Sequence, residues 1–232
     1  MLFKKRQKEK ESSVTNSGEL TSILKIGNQF WSTANLNSDT FNNGQKIFEA
    51  KSESEWRYCE AEKLSAFCYF NFDSSLGDKY GKLYNWYAVT DPRGLVPIGY
   101  RIPKREDWIE LFKNLGAPSP NFDGIDVFEI AGVKMKSING WDDYQNKSGN
   151  GTNESGFNGF PCGEYMDDGE YDGAERMYFH GLGFLGCWWS ISENANKEPI
   201  GCLLRQYADY VTLTSSEKHH GQSVRFIKIT TH

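Results

Sequence analysis

Histidine is the side chain best suited to proton transfer and metal binding near neutral pH, and this chain has four. His219 and His220 are adjacent, and the Gly221 that follows them is typical of a turn. Two neighbouring residues seldom direct their side chains to one ion unless other parts of the chain supply further ligands. The sequence therefore predicts a solvated turn here, with a metal or acid–base site as the alternative. The remaining histidines are His180 and His232.

An acidic segment, DDGEYDG, occupies residues 167–173. Calcium takes about six to eight oxygen ligands, which such a loop could supply, but the EF-hand spacing is absent. We therefore predict a solvated loop, with a cation site as the alternative. No G-x-S-x-G nucleophile elbow occurs in the chain. The sequence predicts no catalytic centre, no metal and no other cofactor.

The five cysteines are unevenly spaced and form no C-x-x-C motif. An odd number does not suit a fully paired secreted framework, and free cysteine is among the most buried residue types. The sequence predicts buried free thiols, because disulfides would require an oxidising compartment. These residues are Cys59, Cys68, Cys162, Cys187 and Cys202.

Two polar segments in the second half of the chain carry side chains that are typical of recognition surfaces. One follows the apolar residues 188–190, and the other follows the apolar residues 201–204. Tyrosine offers a rigid ring with one hydroxyl, and arginine offers a fork of donors. Ordinary exposed loops are the alternative interpretation. The predicted ligand-binding residues are Glu193, Asn194, Asn196, Arg205, Tyr207 and Tyr210.

The composition narrows the possible partners and compartments. Aromatic residues make up 15% of the 232 residues, which excludes a disordered chain. A net charge of −5 makes nucleic acid an unsuitable partner, and the apolar runs are too short to span a membrane. The basic start is not followed by an apolar signal segment, so the sequence as written predicts a cytoplasmic protein.

The elements that position these residues are predicted to form one domain at residues 23–232, after a disordered polar tail at residues 1–22. A helix is predicted over residues 52–66, with Ser52 as its N-cap and Glu55 completing a capping box. A second helix is predicted over residues 105–115, where apolar residues recur at helical spacing before Gly116. Short strands dominate the second half. This order of elements predicts an α+β domain.

Six blocks of sequence, in order, together resemble one family. They are residues 27–36 (GNQFWSTANL), 80–88 (YGKLYNWYA), 99–108 (GYRIPKREDW), 151–161 (GTNESGFNGFP), 188–190 (WWS) and 221–225 (GQSVR). They resemble the Fibrobacter succinogenes major paralogous domain, or FISUMP, from about residue 24 to residue 229. The resemblance implies a C-type-lectin-like fold, in which two helices pack on a small twisted antiparallel sheet with long ordered loops.

Several positions depart from the family pattern. Val96 and Phe226 stand where the family usually has cysteine, and Cys162 stands where glycine is usual. A family disulfide is therefore not transferred to this chain. Arg101 and Arg225 lie inside the motifs, and we predict that their guanidinium groups satisfy loop carbonyls or a buried carboxylate.

The leading hypothesis is a non-enzymatic recognition module that binds an unknown protein or glycan through loops of the C-terminal half. The first alternative is a relative of the formylglycine-generating oxidases, which would need Cys187 and Cys202 as a thiol pair. The second is a variable display scaffold of a diversity-generating retroelement. The family resemblance also implies a cell-surface or secreted location as the alternative to the cytoplasm.

Overall fold

Three β-sheets contain most of the regular structure. The computed structural model describes residues 10–14, 20–117, 126–167 and 177–230. The strands in chain order are β1 (Lys10–Val14), β2 (Leu20–Ile26), β3 (Gln29–Ser32), β4 (Phe48–Glu49), β5 (Ala66–Cys68), β6 (Leu83–Tyr84), β7 (Tyr100–Arg101), β8 (Asp126–Phe128), β9 (Cys162–Asp167), β10 (Met177–Leu182), β11 (Leu185–Glu193), β12 (Pro199–Arg205), β13 (Val211–Ser215) and β14 (Ile227–Lys228).

The largest sheet has six strands in the order β10-β9-β11-β12-β13-β8. Its neighbouring strands are antiparallel except for the parallel contact between β9 and β11. A five-stranded sheet has the order β1-β2-β3-β14-β7, and a three-stranded sheet has the order β4-β5-β6. The five-stranded sheet therefore joins the start and the end of the described chain.

The helices of the described residues are short and lie between the strands. They are α1 (Glu53–Ala61), α2 (Gly77–Tyr80), α3 (Trp86–Val89), α4 (Arg105–Asn114) and α5 (Ala131–Met135), with 3₁₀ turns at Phe70–Phe72 and Ser74–Leu76.

The two predicted helices are present with shorter bounds. The Ser52 side chain accepts from the backbone N–H of Glu55 at 3.3 Å, which confirms Ser52 as the N-cap of α1. The Glu55 carboxylate accepts from the backbone N–H of Lys51 at 2.6 Å, one residue earlier than a standard capping box requires. α1 ends at Ala61 and not near residue 66, because residues 66–68 pair as β5. α4 matches its prediction closely, and Gly116 follows it with a φ of +85°.

The predicted fold class, an α+β C-type-lectin-like fold with two helices on a small antiparallel sheet, is wrong. Strands make up 34% and helices 20%, and the strands form three sheets. The prediction missed several strands of two or three residues, such as β4, β6 and β7, which are too short to display an alternating pattern. It also underestimated the size of the central sheet, which has six strands. Two of them, β11 and β12, are buried along most of their length.

Part of the predicted disordered tail at residues 1–22 has strand structure. β1 pairs antiparallel with β2 over five positions, from Lys10 opposite Leu24 to Val14 opposite Leu20. Residues 1–9 and 15–19 lie outside the described residues. The division into a removable tail and one domain at residues 23–232 stays a prediction.

Arg225 and Arg101 have the structural roles that the motifs predict. Arg225 is 1% exposed, and its guanidinium donates to the carbonyl oxygens of Ser32, Phe157 and Asn158 at 2.8–3.0 Å. Arg101 forms a bidentate pair with the carboxylate of Asp107 at the start of α4. These bonds join β7 and the closing segment to the rest of the core.

The central sheet separates two kinds of environment. On one face, Trp188 of β11 and Cys202 of β12 lie opposite each other in a buried cluster that also contains Trp108 of α4. The opposite face carries Leu185, Cys187 and Leu203. The second face also carries polar side chains.

Candidate functional site

A cavity of about 320 Å³ lies against the polar face of the central sheet. Its volume is at the lower end of the range of about 300–1,000 Å³ that is typical of small-molecule sites. The wall is unusually rich in charged and hydrogen-bonding groups. It is formed by Glu164, Met166, Tyr178, His180, Leu185, Leu203, Arg205, Thr214, Ser215, Ser216, His220 and Gln222.

Strand register brings the wall residues together. His180 of β10 lies opposite Glu164 of β9, and Arg205 of β12 lies opposite Leu185 of β11. Directly opposed residues share a face of an antiparallel pair. The pairing of the strands therefore brings Glu164 and Arg205, which are 41 positions apart in the sequence, to the wall of one cavity.

Glu164 is the buried acid of this cavity. It is 7% exposed, and burial raises the pKa of its carboxyl, although hydrogen bonds from Cys187 and Gln222 and the charge of Arg205 oppose the shift. Burial, aided by the charge of Arg205, lowers the pKa of His180. The cavity thus contains a carboxyl and an imidazole that both disfavour their charged forms, beside a guanidinium.

Gln222 leaves a polar atom unsatisfied at the cavity. Its Nε2 donates to Glu164 at 3.1 Å and to Ser216 at 3.0 Å. Its Oε1 is buried and accepts no hydrogen bond from any described residue. A Cβ at Gly201 would lie 2.8 Å from this Oε1, so the glycine provides the space that Gln222 occupies. A buried acceptor without a donor costs about 1–3 kcal/mol.

A His–Asp–His cluster adjoins the cavity. The Nε2 atoms of His219 and His220 both lie at hydrogen-bond distance from Oδ2 of Asp167, the last residue of β9. The prediction of a solvated turn at His219 and His220 is wrong, since His220 is only 8% exposed and burial is the main cause that lowers its pKa to about 4. The rest of the acidic segment, residues 168–173, lies outside the described residues.

Helix α1 supports this cluster from the other side. Trp56 donates its indole N–H to the backbone carbonyl of His219 at 2.8 Å, and Oε1 of Glu60 lies 3.2 Å from Nδ1 of His219. Trp56 and Glu60 are four residues apart and so share one helix face. His220 Nδ1 lies 3.0 Å from the Ser216 hydroxyl. Each imidazole is therefore held at both nitrogens.

The six ligand-binding residues predicted from the sequence do not come together. The first three, Glu193, Asn194 and Asn196, lie where β11 turns into β12. The other three, Arg205, Tyr207 and Tyr210, lie where β12 turns into β13. β12 has seven residues and so separates the two turns by about 20 Å.

Most of these six side chains have local partners. Asn194 stabilises its own turn, because its Oδ1 accepts from the backbone N–H groups of Asn196 and Glu198. Glu193 pairs with Lys218 at 2.9 Å.

At the other turn, Tyr207 is 55% exposed and its ring lies 5.4 Å from that of Tyr144. Tyr210 is half-buried. Of the six predicted residues, Arg205 is the one that lines the cavity.

The two late thiols do not form a pair. Cys187 lies opposite Leu203, and Cys202 lies opposite Trp188. Since Cys187 and Trp188 are consecutive in β11, the two thiols project to opposite faces of the sheet. All five cysteines are buried and free, as predicted.

A second cavity of about 440 Å³ is larger but has fewer unsatisfied groups. Its charged residues, Arg105 and Asp126, form an ion pair with each other. We therefore take the cavity at Glu164 as the candidate site. Sequence reasoning missed Glu164 and Gln222 as members of a site, because each is an isolated polar residue whose neighbours are set by the fold. Asp167 belongs to the acidic segment for which a cation site was the alternative prediction.

Comparison with known proteins gave one match. The family model of the Fibrobacter succinogenes major domain matches residues 24–228. The searches of curated proteins and of solved structures found no match. Among the described residues, none of the helices has the length and apolar character needed to cross a bilayer.

Proposed function

The chain belongs to the Fibrobacter succinogenes major domain family, and we propose that it is a non-enzymatic recognition module that binds a sugar unit of a glycan. The proposed site is the cavity at Glu164. The observation that carries the proposal is the wall of this cavity, in which the carboxyl of Glu164 and the guanidinium of Arg205 lie beside aromatic and apolar side chains.

The wall chemistry suits a ligand that is rich in hydroxyl groups. A sugar hydroxyl both donates and accepts, so it can donate to Glu164 and accept from Arg205. Tyr178, which is 38% exposed, adds an aromatic surface to the wall. Leu185 and Leu203 contribute apolar surface. Small-molecule sites commonly combine a few polar groups with apolar and aromatic side chains in this way.

The shape favours a small unit over a folded protein. A stable protein interface covers about 800 Å² on each partner, whereas this cavity holds about 320 Å³ and is concave. The two loops that could extend a protein interface lie at opposite ends of β12. Binding of a folded protein is therefore an outcome that the experiment should distinguish.

The non-enzymatic part of the proposal is supported by the thiols. A formylglycine-type oxidase would need Cys187 and Cys202 on one face, and the strand register places them on opposite faces. Burial also raises the pKa of both thiols well above the ordinary value, which keeps them protonated and unreactive.

The test is a glycan array followed by calorimetric titration of the oligosaccharide that binds best. We expect Arg205→Ala to weaken binding about 30-fold, because removing an anchoring side chain costs about 2 kcal/mol. Glu164→Gln should weaken it about 10-fold. Arg57→Ala is the matched control, since Arg57 pairs with Glu53 on the surface of α1, away from the cavity wall.

Each variant needs a thermal unfolding curve, so that loss of binding is separated from loss of folding. Unchanged affinity in both cavity variants would refute the proposed site. An array without a bound glycan, combined with capture of a protein whose binding survives both substitutions, would refute the proposed ligand class.

A further inference from the structure

Two imidazoles converge on one carboxylate oxygen in the cluster at Asp167, His219 and His220. Both nitrogens of His219 face carboxylates, Glu60 at Nδ1 and Asp167 at Nε2. A neutral imidazole has a single N–H and can donate to one of them. His220 differs, because its Nδ1 faces the Ser216 hydroxyl, which can donate or accept, while its Nε2 faces Asp167.

A cation would complete this arrangement. If it binds Nε2 of both imidazoles and Oδ2 of Asp167, each histidine keeps its proton on Nδ1. His219 then donates to Glu60, and His220 donates to Ser216. Each neutral imidazole then donates its one N–H outside the ion and offers its other nitrogen to the metal.

We propose that Asp167, His219 and His220 bind one divalent transition-metal ion of the zinc class. The candidate ligand atoms lie within 4.8 Å of one another. Bonds of about 2.0–2.1 Å in a tetrahedral site place ligand atoms about 3.3 Å apart. Oδ2 of Asp167 and Nε2 of His220 are 3.1 Å apart, so small side-chain shifts suffice for coordination.

The donor set selects the metal class. Imidazole nitrogens suit zinc, copper, nickel and iron, whereas calcium requires about six to eight oxygen ligands. Glu60 at His219 Nδ1 has the position of the outer carboxylate that orients ligating histidines in zinc proteins. The backbone of His219 is also fixed by the indole of Trp56.

The position of the ion relative to the cavity follows from His220, which belongs to both. Three protein ligands leave one position of a tetrahedral ion to water or to a ligand group. An ion at this cluster therefore lies at the edge of the cavity. The metal proposal itself does not depend on whether the cavity binds a glycan.

The experiment is a titration of the tag-free full chain with Zn²⁺ in competition with a chromophoric chelator. We expect one equivalent to bind with a Kd of about 1 μM or lower. His219→Ala, His220→Ala and Asp167→Asn should each weaken binding at least about 100-fold. Glu60→Gln should weaken it about 10- to 100-fold, the range found for outer-shell partners.

His180→Ala is the matched control, because His180 lines the cavity but lies outside the cluster. It should leave zinc affinity unchanged. Substitution with Co²⁺ should give the visible absorption of a tetrahedral site, and thermal unfolding should show that the variants fold. No binding by the folded wild type, or binding that the three ligand variants leave intact, would refute the site.

Discussion

At the scale of single residues, Arg225 and Glu164 are both buried ionisable groups, but they differ in how well their surroundings satisfy them. Arg225 donates to three backbone carbonyls and to Asn35 Oδ1, which also accepts from the indole of Trp188. These four hydrogen bonds, from a group with five N–H donors, offset much of the cost of its burial. Glu164 is buried beside a cavity, where its bonds are fewer and its carboxyl disfavours ionisation.

Replacing Arg225 should destabilise the fold strongly. In Arg225→Met the carbonyls of Ser32, Phe157 and Asn158 lose their guanidinium donors, and each unsatisfied buried group costs about 1–3 kcal/mol. We expect the free energy of unfolding to fall by about 3 kcal/mol or more in urea denaturation. Arg57→Met is the control and should change it by less than about 0.5 kcal/mol. A loss below about 1 kcal/mol for Arg225→Met would contradict this role.

Glu164 should make stability depend on pH. Its folded-state pKa lies above the ordinary 4.5, so the folded state binds more protons than the unfolded state between these two values. The contribution of Glu164 to stability is therefore greatest below pH 4.5 and falls as pH rises through the raised pKa. The charge of Arg205 favours the ionised form of Glu164, whereas burial lowers the pKa of His180, which lies opposite Glu164.

We expect Glu164→Gln to melt at the same temperature as wild type near pH 4 and at a higher temperature at pH 7. The glutamine keeps the polar contacts but has no charge to bury. Glu53→Gln, an exposed substitution on α1, should show no such divergence. Melting curves that stay parallel from pH 4 to pH 8 for Glu164→Gln would contradict the buried acid.

At the scale of elements, α1 connects local sequence to the candidate metal site. Its N-cap, Ser52, fixes where the helix begins, and the helical repeat then places Trp56 and Glu60 against His219. Trp56 and Glu60 are more than 150 positions away from His219 in the sequence. They contact it only if α1 begins at the position that Ser52 sets. The N-cap of α1 is therefore a local feature that affects contacts with His219, far away in the sequence.

Removing the cap should have a moderate effect on stability. Ser52→Ala leaves the Glu55 N–H without its side-chain acceptor, and such substitutions cost about 1 kcal/mol. Chemical denaturation should show this loss, while Ser74→Ala, at an exposed serine outside α1, should stay near wild type. Equal stability of the two variants would show that the cap bond contributes nothing.

The sequence predicted the elements that carry a long local pattern. α4 has an apolar repeat over three turns, and α1 has a capping signal, so both were located within a few residues at their starts. Strands such as β6 and β7 have two residues and no repeat to detect. They exist because other segments pair with them, as β14 pairs with β7.

At the scale of the whole molecule, the fold is joined by distant backbone pairing and large aromatic clusters. Trp188 and Trp189 are consecutive, yet they enter two different buried clusters. All five cysteines are buried as free thiols and form no cross-links. Cys162 and Cys202 lie in the cluster of Trp188, and the other three lie in two further clusters.

A reductant should therefore leave the thermal stability unchanged. Loss of a native disulfide typically costs about 2–5 kcal/mol, which would lower the Tm of a chain this long by several degrees. We expect melting curves with and without dithiothreitol to coincide within about 1 °C. A fall of about 10 °C would mean that at least one pair of thiols is oxidised in the native protein.

The candidate site is a property of the whole sheet, and this explains how little of it the sequence predicted. Arg205 was identified from its residue type and position after a strand. Glu164 and His180 join it only when β10, β9, β11 and β12 are paired in this order, and Gln222 comes from the segment before β14. The sequence also predicted Glu193, Asn194 and Asn196 for the same site. These residues lie at the turn between β11 and β12, and the length of β12 separates them from Arg205.

The most direct test of the ligand cavity uses the methionine methyl groups. Met166 lines the cavity, whereas Met135 is fully buried in the cluster around Trp108. In protein labelled with ¹³C at the methionine methyls, adding the oligosaccharide selected on the array should shift the Met166 signal and leave Met135 unmoved. Saturable binding that leaves Met166 unshifted would place the ligand elsewhere and contradict the account.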